Sequence, residues 1–216
     1  MGIELKGKEK AFYLSILDRF YSKLEDKTNI SLKSIHFSDY LNENFEVFHG
    51  VTKVVLVPKN RGARYVLKIP IGDHDYCMGE VVAYDEAILS GVEKFFAPAY
   101  SFESGYDFPV YIQLRVKANS SPDSTWDEDE WYDPEEDWSG LSQASIEGAQ
   151  DLNICDMVID QLLKEYPQEE IEEFLSFCIN NYINDIHSAN FGWYNGVPMI
   201  FDYSGIGSEA CMMRGI

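Results

Sequence analysis

Apolar residues recur along this chain with two different periods, and the change of period divides it. Phe12, Ile16, Leu17, Phe20 and Leu24 stand at helical spacing within residues 8–26, with Lys and Asp between them. That pattern predicts an amphipathic helix packed on the body of the protein. Thr28-Asn29 ends it, and Ser38 is placed to cap a short second helix reaching Asn44. From Phe45 the pattern turns to β. Residues 45–48, 53–57 and 64–69 are β-rich runs separated by Gly50 and by Pro58-Lys59-Asn60-Arg61-Gly62. A helix carrying Glu80, Val81, Val82, Tyr84, Ala87 and Ile88 follows, and residues 108–114 then read as a buried strand. Two further helices are expected, one around 156–166 and one over 168–182. The second is apolar at Ile171, Phe174, Leu175, Cys178 and Tyr182. No internal repeat is visible.

Between these halves lies a polar stretch, residues 119–140. Asp127-Glu128-Asp129-Glu130 and Glu135-Glu136-Asp137 are interleaved with Trp126, Trp131, Tyr132 and Trp138. Carboxylates packed so closely repel, which predicts a loop or insert instead of a regular element. Its tryptophans either staple it to the body or join the acids in a surface for a cationic partner.

Composition narrows the class. With 216 residues, 45% hydrophobic and 14% aromatic, the chain can bury a sizeable core. No apolar run has the length of a membrane span, and the N-terminus lacks the apolar stretch of a signal peptide. Cys77, Cys155, Cys178 and Cys211 form no C-x-x-C pair, which predicts reduced thiols in a cytoplasmic protein. The formal net charge is −20, from 37 acidic and 17 basic residues. Such a charge predicts repulsion from nucleic acid and anionic lipid, and suits a basic protein partner or a cationic substrate.

The chemistry concentrates after the last helix. Asp185 and Asn190 lie on a loop, a short strand hairpin follows, and Asp202 arrives directly before Tyr203-Ser204-Gly205. Phosphoryl transfer from a nucleotide needs one carboxylate to orient the attacking hydroxyl, an amide oxygen for a metal ion, and a second carboxylate bridging metal to phosphates. Asp185, Asn190 and Asp202 match those needs in that order. Taken singly, Asp185 reads equally as a turn cap and Asp202 as an Asx turn.

Asp185-Ile186-His187-Ser188-Ala189-Asn190 resembles the catalytic loop of the kinase superfamily, and Asp202-Tyr203-Ser204-Gly205 sits where its metal-binding D-F-G would sit. The His two places after the Asp is similar to aminoglycoside and choline phosphotransferases, and the whole stretch to the short Ser/Thr protein kinases of tailed bacteriophages. The resemblance covers roughly residues 45–206 and implies an α+β, two-lobed, protein-kinase-like fold. It divides the chain into an N-terminal helical extension (1–44), an antiparallel-sheet N-lobe (45–117) and a truncated helical C-lobe (118–216) containing the acidic insert. Only eleven residues follow Gly205 in a chain of 216, hence the expected truncation. ATP and Mg²⁺ are the implied cofactors.

On this reading Lys68, within Val66-Leu67-Lys68-Ile69-Pro70, holds phosphates and is oriented by Glu80, with Glu86 as runner-up. Gly50 belongs to the phosphate-covering turn, Val116 to the hinge near Arg115-Val116-Lys117, and His187 contacts phosphate or braces the loop. Ile183 and Asn184 replace the usual His and Arg, so no pocket for a phosphorylated activation loop is expected. A single Gly50 stands where kinases carry two or three glycines. Three functions fit: a protein Ser/Thr kinase acting on host proteins, a small-molecule kinase for an amine-bearing substrate, or a pseudokinase scaffold whose acidic charge captures a basic host protein.

Overall fold

A computed structural model of the chain describes residues 5, 7–22, 45–50, 53–60, 62–70, 79–118, 138, 140–184 and 186–203. The helix expected near Ser38, nearly all of the acidic insert, and Asp185 lie outside the described residues. The chain forms a mixed α+β structure in two compact units. The first comprises Met1–Val81 and Pro98–Arg115, the second Val82–Ala97 and Val116–Ile216.

In the first unit, helix α1 (Gly7–Ser22) accompanies strands β1 (Phe45–His49), β2 (Lys53–Pro58), β3 (Tyr65–Pro70), β4 (Ala99–Ser101) and β5 (Tyr111–Leu114). They form one antiparallel sheet in the order β1-β2-β3-β5-β4. Helix α2 (Gly79–Ser90) opens in this unit with Glu80 in its first turn. The expected strand at 108–114 begins only at Tyr111, since Pro109 has no N–H to give a ladder. The short β4 went unforeseen.

Register assigns the two faces of this sheet. Opposed residues share a face and successive residues alternate. Val54 pairs with Ile69, Leu56 with Leu67, and Leu67 with Ile112, so these line one face. That face and the Tyr13, Ile16, Leu17 and Phe20 stripe of α1 form a single apolar core. The N-terminal helix is thus part of the unit's core. Arg64 ties its first turn to the sheet by a two-pronged ion pair with Glu9, at 3.1 and 2.8 Å. The buried Tyr13 hydroxyl donates to the Tyr65 carbonyl at 3.2 Å and accepts from the Tyr65 N–H at 2.8 Å. Its burial pushes the phenol up to about 12.

The opposite face carries Lys53 (opposite Pro70), Lys68 (opposite Val55 and Tyr111) and Gln113 (opposite Val66). All six residues of β3 are buried, so both faces of the strand are covered.

The second unit holds helices α3 (Gln143–Asp151), α4 (Asp156–Glu165) and α5 (Gln168–Asn181), with a sheet β6-β7-β8 of Lys117–Ala118, Phe191–Tyr194 and Val197–Ile200. Helix α3 was not anticipated, because its Gln-Ala-Ser-Ile-Glu-Gly-Ala-Gln-Asp sequence carries almost no apolar stripe. It forms because the Ser142 hydroxyl caps Ser145 N–H at 3.3 Å, while Glu172 of α5 accepts from the hydroxyls of Ser142 and Ser145. Those bonds hold the Glu172 carboxyl low even though its partial burial acts in the opposite direction. Phe95, Phe96, Phe174, Phe177 and Tyr203 pack their rings into the unit's centre. Trp138, at the C-terminal end of the acidic insert, is only 1% exposed and anchors that end.

Among the described residues no helix is long and apolar enough to cross a membrane. Cys155 and Cys178 are free thiols, and burial drives the Cys178 thiol well above its ordinary value, which suits packing and not nucleophilic chemistry.

Candidate functional site

Glu80 is the most heavily engaged carboxylate in the first unit. It is fully buried, and Lys68 donates to both its oxygens, at 2.9 Å to Oε1 and 2.7 Å to Oε2. Gln113 Nε2 donates to Oε2 at 2.7 Å, Tyr111 OH donates to Oε1 at 3.1 Å, and Lys53 Nζ donates to Oε1 as well. Burying a carboxylate in a protein costs roughly several kcal/mol unless charge and hydrogen bonds compensate it. Here every donor comes from the face opposite the α1 core, so register builds the cluster. The structure brings Lys68 and Glu80 together, and Glu86 has no part in that cluster.

Lys53, Tyr111 and Gln113 were missed in the sequence. The signal was present: a Gln inside the apolar run Tyr111-Ile112-Gln113-Leu114 is a buried polar group that must find a partner. Lys53 opens the β-rich run 53–57, and only strand pairing tells which face its side chain takes.

The second group lies in the second unit. Helix α5 stops at Tyr182, whose backbone is left-handed (φ 53°) and whose N–H reaches the carbonyls of Cys178 and Ile179. Ile183 and Ile186 are then buried, and Ile186 accepts from Cys155 N–H at 2.8 Å, which pins the loop at its middle. His187 caps the 3-10 turn Ser188–Asn190, its Nδ1 accepting from Ala189 N–H at 3.2 Å. The imidazole braces the loop through that bond.

The turn delivers Asn190 to the start of β7. Asn195 and Gly196 both have positive φ, 52° and 83°, the geometry of a two-residue hairpin turn matched to strand twist. The ladder pairs Phe191 with Ile200 and continues in a bond from Phe201 N–H to Asn190 O at 2.8 Å. Asp202 thereby arrives beside Asn190, whose side-chain nitrogen lies 3.4 Å from the Asp202 carbonyl. Asp202 is left-handed (φ 60°), a conformation that Asp tolerates better than most residues. Tyr203 fixes the position: it is fully buried and donates to Ala97 O at 2.8 Å.

An amide oxygen and a carboxylate are hard donors of the kind Mg²⁺ takes, with phosphates and water completing its shell. Asn190 and Asp202 fit that role chemically. Among the described residues no group of three or more His, Cys, Asp or Glu side chains is placed to hold a metal.

Gly50 is exposed, and its N–H donates to Lys53 O at 2.9 Å, joining the end of β1 to the start of β2. Val116 is half-buried at the start of the second unit, against Gly192 of β7. A Cβ on Gly192 would lie 2.3 Å from Lys117 O and 2.8 Å from Val116 Cγ1. Gly192→Ala is therefore expected to push β6 off β7 and cost about 1–3 kcal/mol as an overpacking change. Denaturant melts of the variant check this, and an unchanged midpoint would refute the close approach.

Comparisons with family models, curated proteins and solved structures return no match to this chain.

Proposed function

We propose that this protein is an ATP- and Mg²⁺-dependent phosphotransferase of two-lobed, kinase-like architecture. Its acceptor is a Ser or Thr hydroxyl of a protein, in the manner of the phage enzymes that its catalytic loop resembles, in the host cytoplasm. The observation that carries this reading is the buried Lys68–Glu80 pair on a sheet-and-helix frame. A lysine held by a carboxylate from the following helix suits a group that must present one cation to phosphates.

In this mechanism Lys68 holds the α- and β-phosphates while Glu80 fixes its direction. Asp185 orients the acceptor hydroxyl and takes up its proton. The hydroxyl oxygen bonds to the γ-phosphorus, the bond from that phosphorus to the β–γ bridging oxygen breaks, and ADP leaves. Asn190 and Asp202 would hold Mg²⁺, which neutralises charge on the phosphates. His187 keeps the loop in shape through the Ala189 bond.

The test is thermal. ATP with Mg²⁺ at about 100 times its Kd stabilises a protein by about 2.7 kcal/mol, a Tm rise of about 5–10 °C for a chain of this size. Asp202→Ala is expected to abolish that rise and leave the apo protein folded. An equal rise in the variant removes Asp202 from the site.

A second reading is favoured by the net charge of −20: a scaffold of the same fold that captures a basic host protein. It differs from the first in needing no phosphate transfer.

A further inference from the structure

We propose that Lys53 is a second phosphate-binding residue, acting beside Lys68. The inference rests on the phosphotransferase reading above and names a residue that reading does not use.

Two observations converge on it. The first is where the Lys53 side chain goes. A lysine at the first position of a strand ordinarily keeps its ammonium in water, yet Lys53 is 4% exposed. The second is its partner. Lys53 and Lys68 both donate to Oε1 of Glu80, so two ammonium groups converge on one carboxylate oxygen. Tyr111 and Gln113 also donate to that carboxylate. A carboxylate already held by two neutral donors and one lysine does not need a second lysine for satisfaction. Two cations held side by side do match a chain of phosphates, each of which carries negative charge. Lys53 lies on the same sheet face as Lys68, as the pairings Lys53–Pro70 and Val55–Lys68 require, so both ammoniums can meet one polyphosphate.

Wild-type protein is labelled with ATP carrying an acyl group on its terminal phosphate. A lysine amine beside the phosphates attacks the acyl carbon, the acyl–oxygen bond breaks, ATP leaves, and the lysine stays acylated; peptide mass mapping locates it. Labelling of both Lys53 and Lys68, suppressed by excess ATP, is the expected result. Labelling of Lys68 alone overturns the role of Lys53 and leaves the phosphotransferase reading standing. No ATP-suppressible label on either lysine overturns both. In parallel, Lys53→Gln is expected to weaken ATP and ADP by about tenfold or more, the usual effect of losing a charged hydrogen bond, with adenosine affinity unchanged. Equal weakening of all three ligands, or of none, would mean that Lys53 only props Glu80.

Discussion

Replacing Glu80 with Ala is expected to destabilise the protein by about 3–5 kcal/mol, the usual cost of removing one partner from a buried ion pair. Few single substitutions should match it. The carboxylate is fully buried, and Lys53, Lys68, Tyr111 and Gln113 all direct donors at it. Without it, two ammoniums lose the one anion that they share, in an environment that screens charge poorly. Nucleotide binding should fall with it, since Lys68 would lose the group that fixes its direction. Glu80→Gln is expected to fall between the two, because the amide keeps one acceptor and no charge. Urea denaturation of the three proteins checks the order. A loss below about 1 kcal/mol in Glu80→Ala, smaller than even a typical neutral hydrogen bond network would give, would mean that the cluster does not form in solution.

The second large effect is kinetic. Asp185→Asn is expected to reduce phosphate transfer by about a hundredfold or more, the typical contribution of a positioned acid–base group. Asparagine keeps the size and much of the hydrogen-bonding capacity of aspartate but removes the charge that, on the proposed mechanism, orients the acceptor hydroxyl. ATP affinity should be unchanged, because Lys68, Asn190 and Asp202 are untouched. Labelled ATP and Mg²⁺ with host lysate, wild type and variant side by side, gives the rate. The same pair expressed in cells separates enzyme from scaffold: a phenotype at full strength in Asp185→Asn would exclude phosphate transfer as its cause.

The two candidate groups, one in each unit, were legible to different degrees. Asn190 and Asp202 are joined by a hairpin whose strands are four residues each and whose turn is Asn195-Gly196. Turn chemistry acts over a few residues, so the approach of these two residues is nearly a local consequence of sequence. Lys68 and Glu80 are 12 residues apart, on a strand and on the helix that follows. Chain order pointed to that pair and favoured Glu80 over Glu86, but the further donors Lys53, Tyr111 and Gln113 depended on strand pairing. Helix α3 shows the opposite case. Its own residues have little amphipathic pattern, and a carboxylate 30 residues away on α5 caps its first turn. No window reading of residues 143–151 contains Glu172.

What the sequence by itself determined is most of the longer elements: a 3.6-residue period for α1, α4 and α5, β-rich runs for β1 to β3, and a short hairpin after the last helix. These follow from interactions between near neighbours, which a pattern records directly. Only the tertiary structure decided which side chains share a face. Lys53, Lys68, Tyr111 and Gln113 come from three strands, and their common side depends on the pairings Val55–Lys68, Lys68–Tyr111 and Val66–Gln113. A slip of one residue in any of these would have turned a whole strand over and buried its other row. The apolar row of each strand had to meet the α1 core, and that requirement carried the two lysines, the tyrosine and the glutamine together onto the face where Glu80 receives them.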